Sequence, residues 1–129
     1  MPTAVIVPIA KALYLCEGTI GFPGGKTDLM GLFNSINAPR FPHAAKDFVV
    51  FAQLSHGLGR VPFYIDVRFA PTNQLVYTSN VHQALFPNRD MTVQIAYTVP
   101  ACKFPQPGLY LVEFYCHNQW VADTTLLLR

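Results

Sequence analysis

Charge is scarce in this sequence: Asp, Glu, Lys and Arg make up 12% of its 129 residues, about half the ~25% of an ordinary soluble domain. The nine basic residues are scattered from Lys11 through Arg40, Arg68 and Lys103 to Arg129 with no adjacent pair, and against seven acids they leave a net charge of +2. That distribution excludes the basic stripe that nucleic acid requires, so no nucleic-acid partner is expected. Cysteine is scarce too. Cys16, Cys102 and Cys116 are an odd number without CxxC spacing, which argues for reduced thiols and a cytoplasmic setting rather than a disulfide framework. A Cys16 to Cys116 bridge is the alternative. Long apolar runs are missing: MPTAVIVPIA has no Lys or Arg before it, is broken by Pro8 and is followed by Lys11. Neither a signal peptide nor a membrane span is expected. No segment sustains a 3.6-residue period between capping residues, apart from room for a single turn near His43 to Asp47 or His82 to Phe86.

What is present is strand grammar. Pro107 to Arg129, PGLYLVEFYCHNQWVADTTLLLR, opens on Pro-Gly and alternates so that Tyr110, Val112, Phe114 and Cys116 share a face. It breaks at His117, Asn118 and Gln119 and resumes at Trp120, which is the signature of a hairpin. Strand character recurs over roughly 11–17, 28–36, 47–55, 61–69, 74–81, 91–99, 109–116 and 120–128. The punctuation between them is Gly and Pro: FPGGKTD at 22–28, HGLGR at 56–60 and APTN at 70–73. Eight short strands with these turns predict an all-β chain, a two-sheet antiparallel β-sandwich forming a single domain over 1–129, in preference to a closed barrel.

Alternation also assigns faces. Val61, Phe63, Ile65, Val67 and Phe69 point inward, with Tyr64, Asp66 and Arg68 outward; Met91, Val93, Ile95, Tyr97 and Val99 oppose Thr92, Gln94, Ala96 and Thr98. One dry face and one wet face mark a sheet packed against a second sheet. Residues 47–55 depart from this rule. Phe48, Val50, Ala52 and Leu54 point one way while Val49 and Phe51 point the other, so something must cover the outer face.

FAQLSHGLGRVPFYIDVRFAPTNQLVYT, followed by FPQPGLYLVEFYCHNQWVADTTLLLR, resembles a family of small bacterial immunoglobulin-like sandwich domains with no assigned activity. In that family a GGxGE turn leads into a strand and an FPxPGxYxxE hairpin closes the chain. The likeness extends over the chain after residue 11, LYLCEG and LMGLFNSI included, and departs from the pattern at Leu58 and Arg60 of HGLGR. It implies an immunoglobulin-like sandwich in a bacterial cytoplasm and carries over no catalytic residue.

The residues themselves offer little chemistry. His43, His56, His82 and His117 fall in loops or at strand ends, and adjacent Cys116 and His117 point to opposite faces of a strand, so no metal site is expected. Asp66, Arg68 and Glu113 read as a surface ion pair on an open sheet face rather than an acid and base. PGGKTD lacks the four-residue spacer of a phosphate loop and reads as a hairpin turn. Nothing near Cys102 activates a thiolate. Outward aromatics remain: Tyr64, Phe51, Tyr115 and Trp120, the last placed equally well at one end of the core. The expectation is a non-catalytic interaction or assembly module of a bacterial cytoplasmic complex, without cofactor. Val49, Phe51, Tyr64, Tyr115 and Trp120 are its candidate interface, and the partner is another protein or a second copy, most simply a symmetric dimer. Runners-up are a small-ligand or carbohydrate-binding sandwich using the same aromatics, then an enzyme of unknown type. A sugar binder should cluster aromatics with Asp, Asn or Gln on one face, and an assembly module should show an apolar face or unpaired edge.

Overall fold

Alternation along the chain becomes two sheets packed face to face. The computed structural model describes residues 4–129, and their regular elements are all strands. In chain order these are β1 (Ile9–Cys16), β2 (Gly18–Phe22), β3 (Lys26–Met30), β4 (Ser35–Ile36), β5 (His43–Ala44), β6 (Phe48–Ser55) and β7 (Gly59–Phe69). There follow β8 (Gln74–Thr78), β9 (His82–Phe86), β10 (Val93–Val99), β11 (Lys103–Phe104), β12 (Gly108–Cys116) and β13 (Gln119–Leu128). A small antiparallel sheet runs β1-β6-β10, and a larger one runs β4-β13-β12-β7-β8, with β9 also paired to β7. Two-stranded ribbons β2-β3 and β5-β11 complete the fold.

The core lies between the two sheets. Phe48, Val50, Ala52 and Leu54 enter it from β6, the odd residues from Val61 to Phe69 from β7, and the even residues from Tyr110 to Cys116 from β12. Each large side chain fully buried there contributes about 1.5–3 kcal/mol, and Phe63 and Phe114 stack with ring centroids 5.3 Å apart. Tyr110 is fully buried and still satisfied: its hydroxyl donates to the Gln106 carbonyl at 2.6 Å. That contact, reaching back a few residues from the start of a strand, is the tyrosine corner of immunoglobulin-type sandwiches. The sandwich is laced shut along one side, where Tyr77 of β8 and Tyr97 of β10 share a hydrogen bond between their hydroxyls at 2.6 Å.

Several boundaries move for physical reasons. The run expected as one strand over 28–36 breaks at Gly31, whose φ of 65° ends β3. Its remainder, β4, joins the larger sheet in parallel with β13. The segments with room for a helical turn are strands instead: His82–Phe86 pairs with the first half of β7, and His43–Ala44 with β11. Met91 is exposed, since β10 begins at Val93. The FPGGKTD turn closes the β2-β3 hairpin with Gly24 and Gly25 at φ of 85° and 74°.

That hairpin corrects two candidate interface residues. Val49 and Phe51 are 8% and 4% exposed, yet they belong to the opposite side of β6 from the main core. β2-β3 folds back over this side: β2 lies against β6, and Thr27 Oγ1 donates to Gln94 Oε1 of β10 at 2.8 Å. The cover demanded by a strand apolar on both faces is supplied by the chain itself, so Val49 and Phe51 are sealed inside a third layer with Cys16 rather than offered to a partner.

Candidate functional site

The other three candidates meet on the outer face of the larger sheet. Register sets Tyr64 of β7 opposite Tyr115 of β12, and Tyr115 opposite Trp120 of β13, so the three form one row across three strands. The row depends on the β12-β13 turn. His117 and Asn118 have φ of 51° and 60°, the double positive φ of a two-residue type I′ turn, and a register shift just after Phe114 brings Trp120 level with Tyr115. Tyr64 and Tyr115 stack with centroids 4.9 Å apart and planes 5° from parallel, so each covers one face of the other. Trp120 is 56% exposed. It faces outward and does not cap the core.

The next row along the same strands is charged. Asp66, Glu113 and Asp123 lie opposite one another in turn, with Thr78 beyond Asp66. Arg68 Nε donates to Glu113 at 2.9 Å and its Nη2 to Asp66 at 3.1 Å, while Thr78 Oγ1 donates to the second Asp66 oxygen at 2.6 Å. The expected open surface pair is thus a cluster in which the Asp66 side chain is only 6% exposed. Burial works against the Arg68 charge, but Asp66 and Glu113 outweigh it and hold its pKa above the ordinary arginine value. Burial, followed by the Glu113 charge, pushes the Tyr115 hydroxyl up. Both oxygens of Asp66 are occupied, which leaves Asp123 as the exposed carboxylate of this row. Beyond it the face turns apolar again, where Leu109 and Leu127 stand directly opposite each other and are both exposed.

Elsewhere the groups are occupied or dispersed. The three cysteines are free and buried, and burial raises the thiols of Cys102 and Cys116 to about 12, far from the range of a reactive thiolate. His56 bonds Ser55 Oγ at 2.9 Å, and His82 packs between Phe63 and Tyr97. Among the described residues no three His, Cys, Asp or Glu side chains gather in a metal-holding group. A shallow cleft of about 590 Å³ opens beside β4 and β5 between Glu17, His43, Lys46 and Asp47, over Phe33 and Phe48. Asp47 is engaged there in accepting the Ala101 amide at 3.0 Å.

Alternation alone identified Tyr64 and Tyr115 as outward, while Trp120, placed equally well at one end of the core by the sequence, is settled as outward by the structure. Asp123 went unnoticed, although it alternates with inward Ala122 and Thr124 in the sequence, because its importance comes from lying opposite Glu113.

Comparison with known proteins places this geometry in context. The profile of a family described as a family of unknown function (DUF6941) matches residues 11–129. Among solved structures, an immunoglobulin-like protein from Pseudomonas aeruginosa is similar over 96% of this chain and 98% of its own, at 16% sequence identity and a TM-score of 0.43. No curated protein matches the chain.

Proposed function

The chain belongs to that family of unknown function, and we propose that it works as a non-catalytic interaction module of a bacterial cytoplasmic complex, binding another protein or a second copy through the outer face of its larger sheet. The observation that carries this reading is the row Tyr64, Tyr115 and Trp120, the last more than half exposed, on the outer face of the larger sheet. Tyr and Trp are enriched among the residues that anchor protein interfaces. Three buried free thiols suit the cytoplasmic part of the reading.

Carbohydrate binding is the second reading, favoured by Trp120 standing beside the acid row. Against it, Tyr64 and Tyr115 cover each other rather than lying face up to stack on a sugar ring, and Asp66 and Glu113 are bonded to Arg68.

Hydroxyl-radical footprinting tests the proposal. Trp120 and Tyr115 of the chain in an extract of its native host should be protected relative to the purified chain at low concentration. Self-association should protect them in concentrated pure protein and raise the light-scattering mass above 14.4 kDa. Equal labelling under all three conditions would sink the reading.

A further inference from the structure

We infer that the occupant of this face is a basic segment of another protein, which lays a lysine or arginine side chain across Trp120 and pairs its charge with Asp123. The inference deepens the interaction-module reading and rests on it. Its first support is an unresolved repulsion. Asp123 lies directly opposite Glu113, and like charges facing each other across an antiparallel pair are unfavourable. Arg68 relieves Glu113 and Asp66 but makes no bond to Asp123; its ion pairs are the only ones among the described residues. A cation arriving from outside would relieve that pair.

The second support is the neighbour of that carboxylate. The Trp120 row and the Asp123 row are two residues apart along β12, about 7 Å at the rise of a strand, so an alkyl-ammonium or guanidinium group can rest on the indole and still reach the carboxylate. Cations bind the faces of indoles within about 6 Å of the ring centroid, and an adjacent anion adds to the attraction.

Charge also selects among occupants. Three carboxylates, Asp66, Glu113 and Asp123, face one guanidinium, Arg68, which gives the band a net charge of −2 in a chain whose total is +2. A second copy docked band against band would set −2 against −2, and a phosphate laid on the band would be repelled for the same reason. Four strands at ~4.8 Å spacing and some 30 Å of β12 give a flat area on the order of 570 Å². Doubled for two partners, that is the low end of specific interfaces and suits a transient partner.

Trp120 is the only tryptophan of the chain, so its fluorescence reports this site alone. The full chain is titrated with the peptide acetyl-Gly-Arg-Gly-Arg-Gly-amide, its citrulline counterpart of the same shape without charge, and cellohexaose. The arginine peptide should give a saturable change in Trp120 emission at millimolar concentration, weakened by salt, with the citrulline peptide inert. Asp123→Asn, an exposed change whose fold is checked by its melting curve, should weaken the arginine peptide about threefold or more. The inference is overturned by any of four results: no response to the arginine peptide, an equal response to the citrulline peptide, unchanged affinity in Asp123→Asn, or a response to cellohexaose alone. An emission change on concentrating the pure protein would assign the face to a second copy and overturn it too. Protected footprints without a peptide response retire the basic partner only; unprotected footprints retire the interaction reading with it.

Discussion

The two sheets of this sandwich have outer faces of opposite character. Over the small sheet, β6 is apolar on both sides, and the β2-β3 hairpin covers the side turned from the core, hiding Val49, Phe51 and Cys16. Over the larger sheet no hairpin among the described residues folds back. There the outward residues of β7 and β12 include Tyr64, Asp66, Arg68, Glu113 and Tyr115, satisfied by one another and by Thr78, with exposed Leu109 farther along. An apolar outer face obtains its cover from within the chain, and a polar aromatic one is left available. Apolar content by itself is therefore a poor guide to which face of a strand ends up open.

The contrast can be broken most forcefully at Phe51. Phe51→Glu places a carboxylate beneath the hairpin, and with the aromatic ring lost it should cost about 4 kcal/mol or more, enough to unfold a marginal domain. Chemical denaturation checks this; a fully stable variant would mean that the small sheet is as open as the large one.

Gly108→Val probes the shared core between the faces. Gly108 has a φ of 136°, and a Cβ there would lie 2.8 Å from Phe69 Cε1, in a ring packed against Tyr110. About 2–3 kcal/mol should be lost from the unfolding free energy, and an unchanged melting temperature would show the backbone to be unconstrained.

Arg68→Leu tests whether the larger sheet's outer face is held by its charges. Asp66 and Glu113 would be left facing each other without a counterion. Because the guanidinium is itself a quarter exposed, the expected cost is about 2 kcal/mol rather than the larger penalty of a fully buried pair. A neutral effect in urea melts would reduce the cluster to surface decoration.

Smallest of all, Trp120→Ala should change stability by no more than about 0.5 kcal/mol, as exposed positions do. Footprint protection at Tyr115 should vanish nonetheless. A large loss of stability would place Trp120 among the structural residues and sharpen the contrast in the wrong direction.

Much of this was legible in the residues. The strands at 47–55, 61–69, 91–99 and the closing hairpin follow from alternation and turn chemistry, and the inward sets of β7 and β12 are buried as that alternation demands. The misses share one cause. GTIGF is interrupted by two glycines, and HQALF has no period to distinguish it; each is a strand because a neighbour supplies its pairing, Lys26–Met30 for one and the start of β7 for the other. For the site, period 2 tells which side of a strand a residue takes but not what lies above it. Tyr64 and Phe51 therefore looked alike, and only the hairpin's docking separates them. The row itself needed the register fixed by His117 and Asn118, and the burial of Asp66 needed Glu113 and Thr78, which only cross-strand register sets beside it.

β6 has one more consequence, which concerns time rather than place. Phe48–Ser55 carries no charge, Gly or Pro, a composition prone to cross-β stacking when uncovered. In the finished fold it is the middle strand of its sheet with a roof above it. Its neighbours β1 and β10 are distant in sequence, and pairing of that kind forms slowly. A chain emerging from denaturant thus keeps its stickiest segment bare while it waits for both neighbours and for the roof. Recovery of native protein should be governed by how dilute the chains are during that interval, more than by how stable they become afterwards.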